Sequence, residues 1–261
     1  MDNGFLSVLT LNLRFGLADD GANSWDSRKE IFPSLLAKYR EDFIGFQEAN
    51  DFQIEFIDNI LTEYNFIGKR SPAPVFWQNN VIFYKKTWNC IFHEHFFLSP
   101  TPFIPSRLRD SRWPRQCTMG IFQNRGRRVI LVNTHFDFNA TVQKKSAEII
   151  MTRLMRLPFD LPVIIMGDFN APPQSPCYIF FTEGGGGEAL NIPVLKDVFS
   201  KPFPGTHHGF TGNTNGDYID WILFRGKLKL QEKRAIHDKI NGKYPSDHFP
   251  VSALFSWEQD V

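Results

Sequence analysis

The chain has 261 residues, 42% of them hydrophobic and 22% charged, with a formal net charge of +1. That balance is globular and large enough for one substantial core, and the near-zero charge argues against the wide basic face that long duplexes require. Aromatic residues make up 15% of the chain, with 27 Phe, which predicts thick cores between packed layers. No Pro/Ser-rich linker divides the sequence, so a single domain over 1–261 is expected. Cys90, Cys117 and Cys177 are far apart, fit no zinc pattern and are odd in number, which points to free thiols in a reducing compartment. The N-terminus lacks a basic leader and cleavage site, and no run nears the roughly 18 apolar residues of a membrane span. A cytoplasmic monomer without membrane contact is therefore expected.

Residues 5–14, FLSVLTLNLR, alternate as a strand ending near Asn12 and Arg14. After the polar loop GLADDGANSWDSR, Ser27 is placed to cap a helix with core face Ile31, Leu35, Leu36 and Tyr39. Pro33 must then sit in its first turn or kink it. The strand DFIGFQE delivers Glu48 at its end, and Phe52, Phe56, Ile57, Ile60 and Leu61 mark a second amphipathic helix. From 64 to 123 the pattern changes to short strands, NFIGKR, NNVIFYKK, NCIFHEHFFLS and CTMGIFQ, with a Pro- and Arg-rich loop over 100–115.

A turn at Asn124–Gly126 leads into RVILVNTHFD, which delivers His135 and Asp137. Ala147, Ile150, Met151, Leu154 and Leu157 form a helical stripe. Next comes VIIMGDFN, a β-branched, uncharged run closed by Gly167. Asp168 and Asn170 stand on the loop leaving the strand's carboxyl end, where ligand and catalytic groups collect in α/β proteins. Asp168 could polarise water or bind a cation, and Asn170 could orient that water or donate to an oxyanion. Both could equally serve an Asx turn. A short helix is expected at APPQSPCY and a mobile loop at Gly184–Gly187. Strands are predicted again at VLKDVF, DYIDWILFR, LKLQEKRAIH and HFPVSALFSW, with Asp220 inside YIDWIL and Asp247–His248 opening the last one.

Six strand ends thus present Asn12, Glu48, His135, Asp168 with Asn170, Asp220, and Asp247 with His248. An isolated Asp or His at a strand end needs no functional explanation, but the repetition does. Carboxylates without cysteine suit a hard cation such as Mg²⁺ or Mn²⁺. Carboxylates with two histidines and an amide suit hydrolysis at phosphorus, where charge is stabilised and water aimed. The segments LTLNLR, IGFQEAN, VNTHFD, MGDFNAPP, YIDWIL and YPSDHFPV resemble, in order, the motifs of the endonuclease/exonuclease/phosphatase superfamily.

That resemblance implies a DNase I-like four-layer α/β sandwich: two mixed β-sheets face to face, helices outside, and the site at one edge. It implies a divalent-metal-dependent phosphoric ester hydrolase, with a phosphodiesterase or nuclease as first reading and a phosphomonoesterase for a small sugar, inositol or nucleotide phosphate as the alternative. A non-catalytic phosphate-binding module is a third reading, disfavoured because every motif position keeps its residue type. Glu48, Asn12 and Asp247 resemble the metal-region residues. Asp168 resembles the carboxylate that activates or aligns water, and Asn170 the amide that positions phosphate or nucleophile. His248 resembles the histidine on the scissile phosphate, Asp220 its orienting partner and His135 a second phosphate contact. Whether Asp168 or His248 is the base stays open.

NSWDSRKEI, SRWPRQCTMGIF and FTGNTNGDYIDWIL resemble segments of the deadenylase- and nocturnin-like branch and its uncharacterised bacterial members, with Trp221 in place of a tyrosine. Residues 106–128 carry seven arginines and one acid, Asp110, the one strongly basic stretch. This segment is expected to lean over the site, with Arg115, Arg14 and Arg28 holding substrate phosphate and Trp25 or Trp113 stacking on a base. The resemblance implies a phosphate-ester substrate, and the compact basic segment suits a short single strand or a nucleotide.

Overall fold

A computed structural model describes residues 4–184 and 193–258. Gly185–Gly187 of the expected glycine loop lie outside the described residues. One six-stranded sheet runs β11 (Leu228–Ala235), β12 (Val251–Trp257), β1 (Phe5–Asn12), β2 (Phe43–Ala49), β4 (Asn79–Lys85) and β3 (Tyr64–Ile67). The other runs β5 (Asn89–Phe97), β6 (Gln116–Asn124), β7 (Arg127–His135), β8 (Val163–Asp168), β10 (Asp220–Arg225) and β9 (Lys196–Asp197). Each sheet is mixed, with a parallel pair at β1–β2 or β7–β8 and antiparallel partners elsewhere.

Strand alternation sorts the apolar side chains into three cores, one for each interface of a four-layer sandwich. Leu6 and Val8 of β1, Phe43 of β2, Val129 and Leu131 of β7, and Ile164 and Met166 of β8 meet between the sheets. Leu9, Leu11, Ile44 and Phe46 point the other way, onto α2 (Phe32–Lys38) and α3 (Asp51–Ile60). Ile130, Val132, Val163 and Ile165 point onto α4 (Ala140–Leu154) and α5 (Pro176–Thr182). This is the expected DNase I-like architecture. Among the described residues no helix is long and apolar enough to cross a membrane.

Three local expectations are corrected. Ser27 caps nothing: α1 (Trp25–Arg28) starts after Ser24, a 3₁₀ turn covers Lys29–Ile31, and Pro33 sits in the first turn of α2, where its missing N–H costs no helical bond. Asp247 and His248 precede β12 rather than opening it, because Pro250 cannot donate to a ladder and pairing begins at Val251. Of VLKDVF only Lys196–Asp197 pairs, against β10.

Gly167 has a backbone role that no other residue can fill. Its φ is +148°, and a Cβ there would lie 2.0 Å from Thr134 O on the parallel neighbour β7. Gly167→Ala should destabilise the fold by about 3 kcal/mol or more through strain and overpacking. For a chain of this size that is a fall of roughly 6–12 °C in Tm, read by thermal melting. An unchanged Tm would mean that the β7–β8 spacing gives way freely.

Candidate active site

The alternation that fills the inter-sheet core also builds the site. Continuing the inward-facing positions to the strand ends gives Asn12 on β1, His135 on β7, Asp168 on β8 and Asp220 on β10. Asp168 pairs in register with His135 on one side and Asp220 on the other, so the three stand in one row across neighbouring strands. Glu48 breaks the rule. By alternation it would face α3, but its φ is +57° and the β2–β4 register shifts between Phe46 and Ala49. The irregularity turns its carboxylate back toward the row, a common use of a strand irregularity beside a site.

The side chains converge. Asn12 Nδ2 donates to Asp168 Oδ2 at 2.9 Å and to Glu48 Oε1 at 3.3 Å. Glu48 Oε2 accepts from Phe15 N at 2.6 Å. His135 Nε2 lies 3.4 Å from Asp168 Oδ2 and 3.9 Å from Glu48 Oε1, and the Asn170 amide lies 2.9 Å from the same nitrogen. Asn170 N donates to Asp168 Oδ1 at 2.8 Å, so the Asx turn exists alongside the cluster. His248 Nδ1 lies 2.9 Å from Asp220 Oδ2, and its Nε2 lies 3.9 Å from Asp168 Oδ2. Asp247 accepts from Ser246 Oγ at 3.1 Å and sits 3.7 Å from Arg14 Nη1.

Burial gives these groups unequal charge states. Burial opposes a charged ring at His248, but Asp220, Asp168 and Asp247 together outweigh it and raise its pKa to about 10. His135 is driven the other way, well below the usual imidazole value, by burial and by the positive charges of Arg115 and His248. Asp168 is pushed up to about 7, chiefly by burial and then by the Asp220 carboxylate, against the pull of His248. One imidazolium, one neutral imidazole and one carboxyl poised near neutrality thus share a single strand-end cluster.

Residues 9–248 match the Endonuclease/Exonuclease/phosphatase family. The chain belongs to that family. It is a phosphoric ester hydrolase. No curated protein matches it in sequence. Among solved structures, a member of the family from Bacteroides thetaiotaomicron is 26% identical, with 98% of each chain covered and a TM-score of 0.87. A mannosyl-6-phosphatase from Bacteroides thetaiotaomicron is 25% identical over 97% of this chain and 100% of that one, with a TM-score of 0.85. D. rerio TDP2, solved with a single-strand DNA product, is 19% identical over 97% and 99% of the two chains with a TM-score of 0.73, a likeness of fold alone.

Enzymes of this family depend on a divalent metal, and the residues here fit one. The donor set is rich in hard oxygens: Glu48, Asp247 and the Asn12 amide, with the Asp168 carboxylate bonded to Asn12 beside them. Asp220 Oδ1 is buried with no hydrogen-bond partner, an unsatisfied acceptor beside His248 and Asp168. Ligand atoms of Asp168, Asp220 and His248 lie within 4.8 Å of one another, as do those of His207, Asp247 and His248.

Two of the expected substrate contacts are corrected in this family member. Trp25 is buried, packed 5.1 Å from Phe32 and 5.7 Å from Phe56 between centroids, and offers no face to a base. Arg28 is 1% exposed, and its guanidinium donates to the main-chain oxygens of Asn23, Leu13 and Pro245. It ties the exit of β1 to the Asp247 loop, which leaves no fork for a phosphate. Arg14 borders the cavity beside Glu48, but Asp20 holds its guanidinium by two bonds, at 2.8 and 2.9 Å. Arg115 also borders that cavity. Its Nη1 lies 3.1 Å from His135 Nδ1, and its Nε has no hydrogen-bond partner. Arginine can only donate, so His135 Nδ1 accepts from Arg115, while Nε2 faces both the Asn170 amide and the Asp168 carboxylate.

Sequence reasoning assigned no role to three contributors. His207 pairs backbone with His248, ring centroids 4.8 Å apart; the His207–His208 doublet was its only signal. Gln143 of α4 donates to the carbonyls of Asp137 and Asn170, both at 2.8 Å, and so fixes the loop after β8. Asp137 accepts from Arg112 N at 2.8 Å and Ser111 Oγ at 3.0 Å, which anchors the Pro- and Arg-rich loop over the site.

Proposed function

We propose that the chain is a phosphomonoesterase acting on a compact phosphate ester, by in-line attack of water on phosphorus. The observation that carries this reading is the cavity into which the cluster opens. Its volume is about 460 Å³, and Glu48, His135 and Arg115 are among its lining residues. A half-enclosed space of that size suits a small ligand. A terminal phosphate dianion needs concentrated positive charge, which Arg115 and the His248 imidazolium supply. The mannosyl-6-phosphatase, similar over the whole chain, supports the same reading. A phosphodiesterase of nuclease type is the second reading, favoured by the exposed Trp113 at the cavity mouth, where a neighbouring base could stack.

In the proposed mechanism Asp168 aligns the attacking water and accepts its proton, because its pKa lies near working pH. His248, kept charged by Asp220, donates to a phosphoryl oxygen, and neutral His135 contacts the phosphate beside it. Asn170 holds the nucleophile or phosphate beside Asp168. Glu48, Asn12 and Asp247 would hold Mg²⁺ or Mn²⁺, which when bound lowers the pKa of water and offsets transition-state charge.

Paired 4-nitrophenyl substrates test both readings. Hydrolysis of the monoester should exceed that of the bis-ester at least tenfold in kcat/KM. Chelator should abolish both, and Mg²⁺ or Mn²⁺ should restore them. A reversed ratio would select the diesterase, and full activity in excess chelator would end the metal assignment.

A further inference from the structure

The mouth of the cavity beside Glu48 and His135 carries Phe76, Trp113 and Phe138, which are 60%, 54% and 61% exposed. They come from three separate loops, before β4, before β6 and after β7. Large apolar side chains gathered from separate loops around one opening are favourable only where something covers them. The Trp113 loop is held in place: Arg112 N is bonded to Asp137, Ser111 Oγ donates to Trp113 O at 2.6 Å, and the Arg112 guanidinium lies 5.6 Å from the indole centroid.

Asn80, Gln116 and Arg14 of the same cavity are committed elsewhere, while the unpartnered Trp77 Nε1 and Arg115 Nε are buried. Asn80 Nδ2 donates to Gln116 O at 2.8 Å, and Gln116 donates to Gln78 O. Gln116 Oε1 lies 2.8 Å from His95 Nε2, and Asp20 takes up the Arg14 fork. A hexose or inositol ring would bring several hydroxyls against these walls, each losing water and few gaining a partner. A planar aromatic ring brings a π-face and asks for little else.

We propose that this cavity is a subsite for a planar aromatic ring carried on the alcohol side of the scissile ester, with Trp113 as its stacking platform. The substrate class is then a nucleotide-like phosphate ester rather than a simple sugar phosphate. The inference rests on the reading of the Glu48–Asp168–His248 cluster as the hydrolytic site.

Adenosine 5′-monophosphate and ribose 5-phosphate share one leaving alcohol and differ only in the base, so they isolate the ring. Their binding to the Asp168→Asn variant with Mg²⁺, measured by titration calorimetry, is read without turnover. The nucleotide should bind roughly tenfold to a hundredfold more tightly. Trp113→Ala should remove most of that difference, and Trp113→Phe should keep it. Mannose 6-phosphate should bind no better than ribose 5-phosphate. Equal affinity for nucleotide and ribose phosphate, preference for mannose 6-phosphate, equal weakening of every ligand by Trp113→Ala, or no measurable binding of any would each overturn the proposal. Hydrolysis of the nucleotide against a dinucleotide by the unaltered enzyme separates the two readings. Diester preference with base selectivity intact counts against the monoesterase alone, whereas lost base selectivity with monoester preference counts against the subsite alone.

Discussion

Asp168→Asn should lower kcat by about three orders of magnitude while the protein stays folded, with Tm within about 3 °C of the original. The loss follows from removing the proposed proton acceptor of the attacking water, a role worth roughly two to four orders of magnitude. The small effect on Tm follows from two opposing changes. The ionised carboxylate is buried beside Asp220, which is why its pKa is pushed up to about 7, and an amide relieves that charge. The same amide would set one NH₂ against another, since Asn12 Nδ2 now donates to Asp168 Oδ2. The sign of the pH effect can be checked. An acid whose folded pKa is raised binds more protons folded than unfolded, so its contribution falls as pH rises from about 3.8 through about 7. Metal-free enzyme should therefore lose stability across that window, and the variant should lose less. Near-normal kcat, measured where chemistry limits the rate, would remove Asp168 from the mechanism.

Asp220→Asn should cost about two orders of magnitude in kcat near neutral pH and shift the alkaline limb of the pH–rate profile downward by a unit or more. Asp220 Oδ2, 2.9 Å from His248 Nδ1, is the strongest of the three carboxylates that hold the ring charged against burial. Without it the imidazolium is lost at lower pH, and with it the positive donor proposed for the phosphoryl oxygen. Here too the linkage has a definite sign. A histidine with a raised folded pKa stabilises the fold fully below about 6.5, and that contribution fades as pH climbs through about 10. The Tm deficit of the variant should be largest in the acid range and close toward pH 10. A pH–rate profile that keeps its alkaline limb would show that His248 charge is not what the reaction uses.

The fate of the arginines explains why substrate contacts are harder to read from sequence than strand-end carboxylates. Arg28 follows a loop with Asp19, Asp20 and Asp26, whereas Arg115 lies in the basic stretch, yet neither setting shows where the guanidinium points. In the fold, Arg28 is enclosed by three main-chain carbonyls, whereas Arg115 reaches His135 and its Nε makes no hydrogen bond, with Asp137 Oδ2 at 3.9 Å. The difference is set by what lies across the chain: Pro245 is 217 residues from Arg28. Trp25 is decided in the same way, because Phe56 from α3 covers its edge.

The strand-end motifs implied the sandwich through their family resemblance, and the strand pattern itself carried the row of polar residues at its edge. Strand alternation is local: a period of two separates the face packed between the sheets from the face packed on helices, and it carries Asn12, His135, Asp168 and Asp220 to one side. Tertiary structure alone decided the exceptions. Glu48 reaches the cluster through a left-handed backbone at a register shift, which alternation assigns to the wrong face. His207 joins through a bridge between two loops distant in sequence, and the aromatic mouth of Phe76, Trp113 and Phe138 exists only because three loops end at one opening. A side chain's direction along a strand is fixed by its own backbone, but its company is fixed by segments that no local pattern can see.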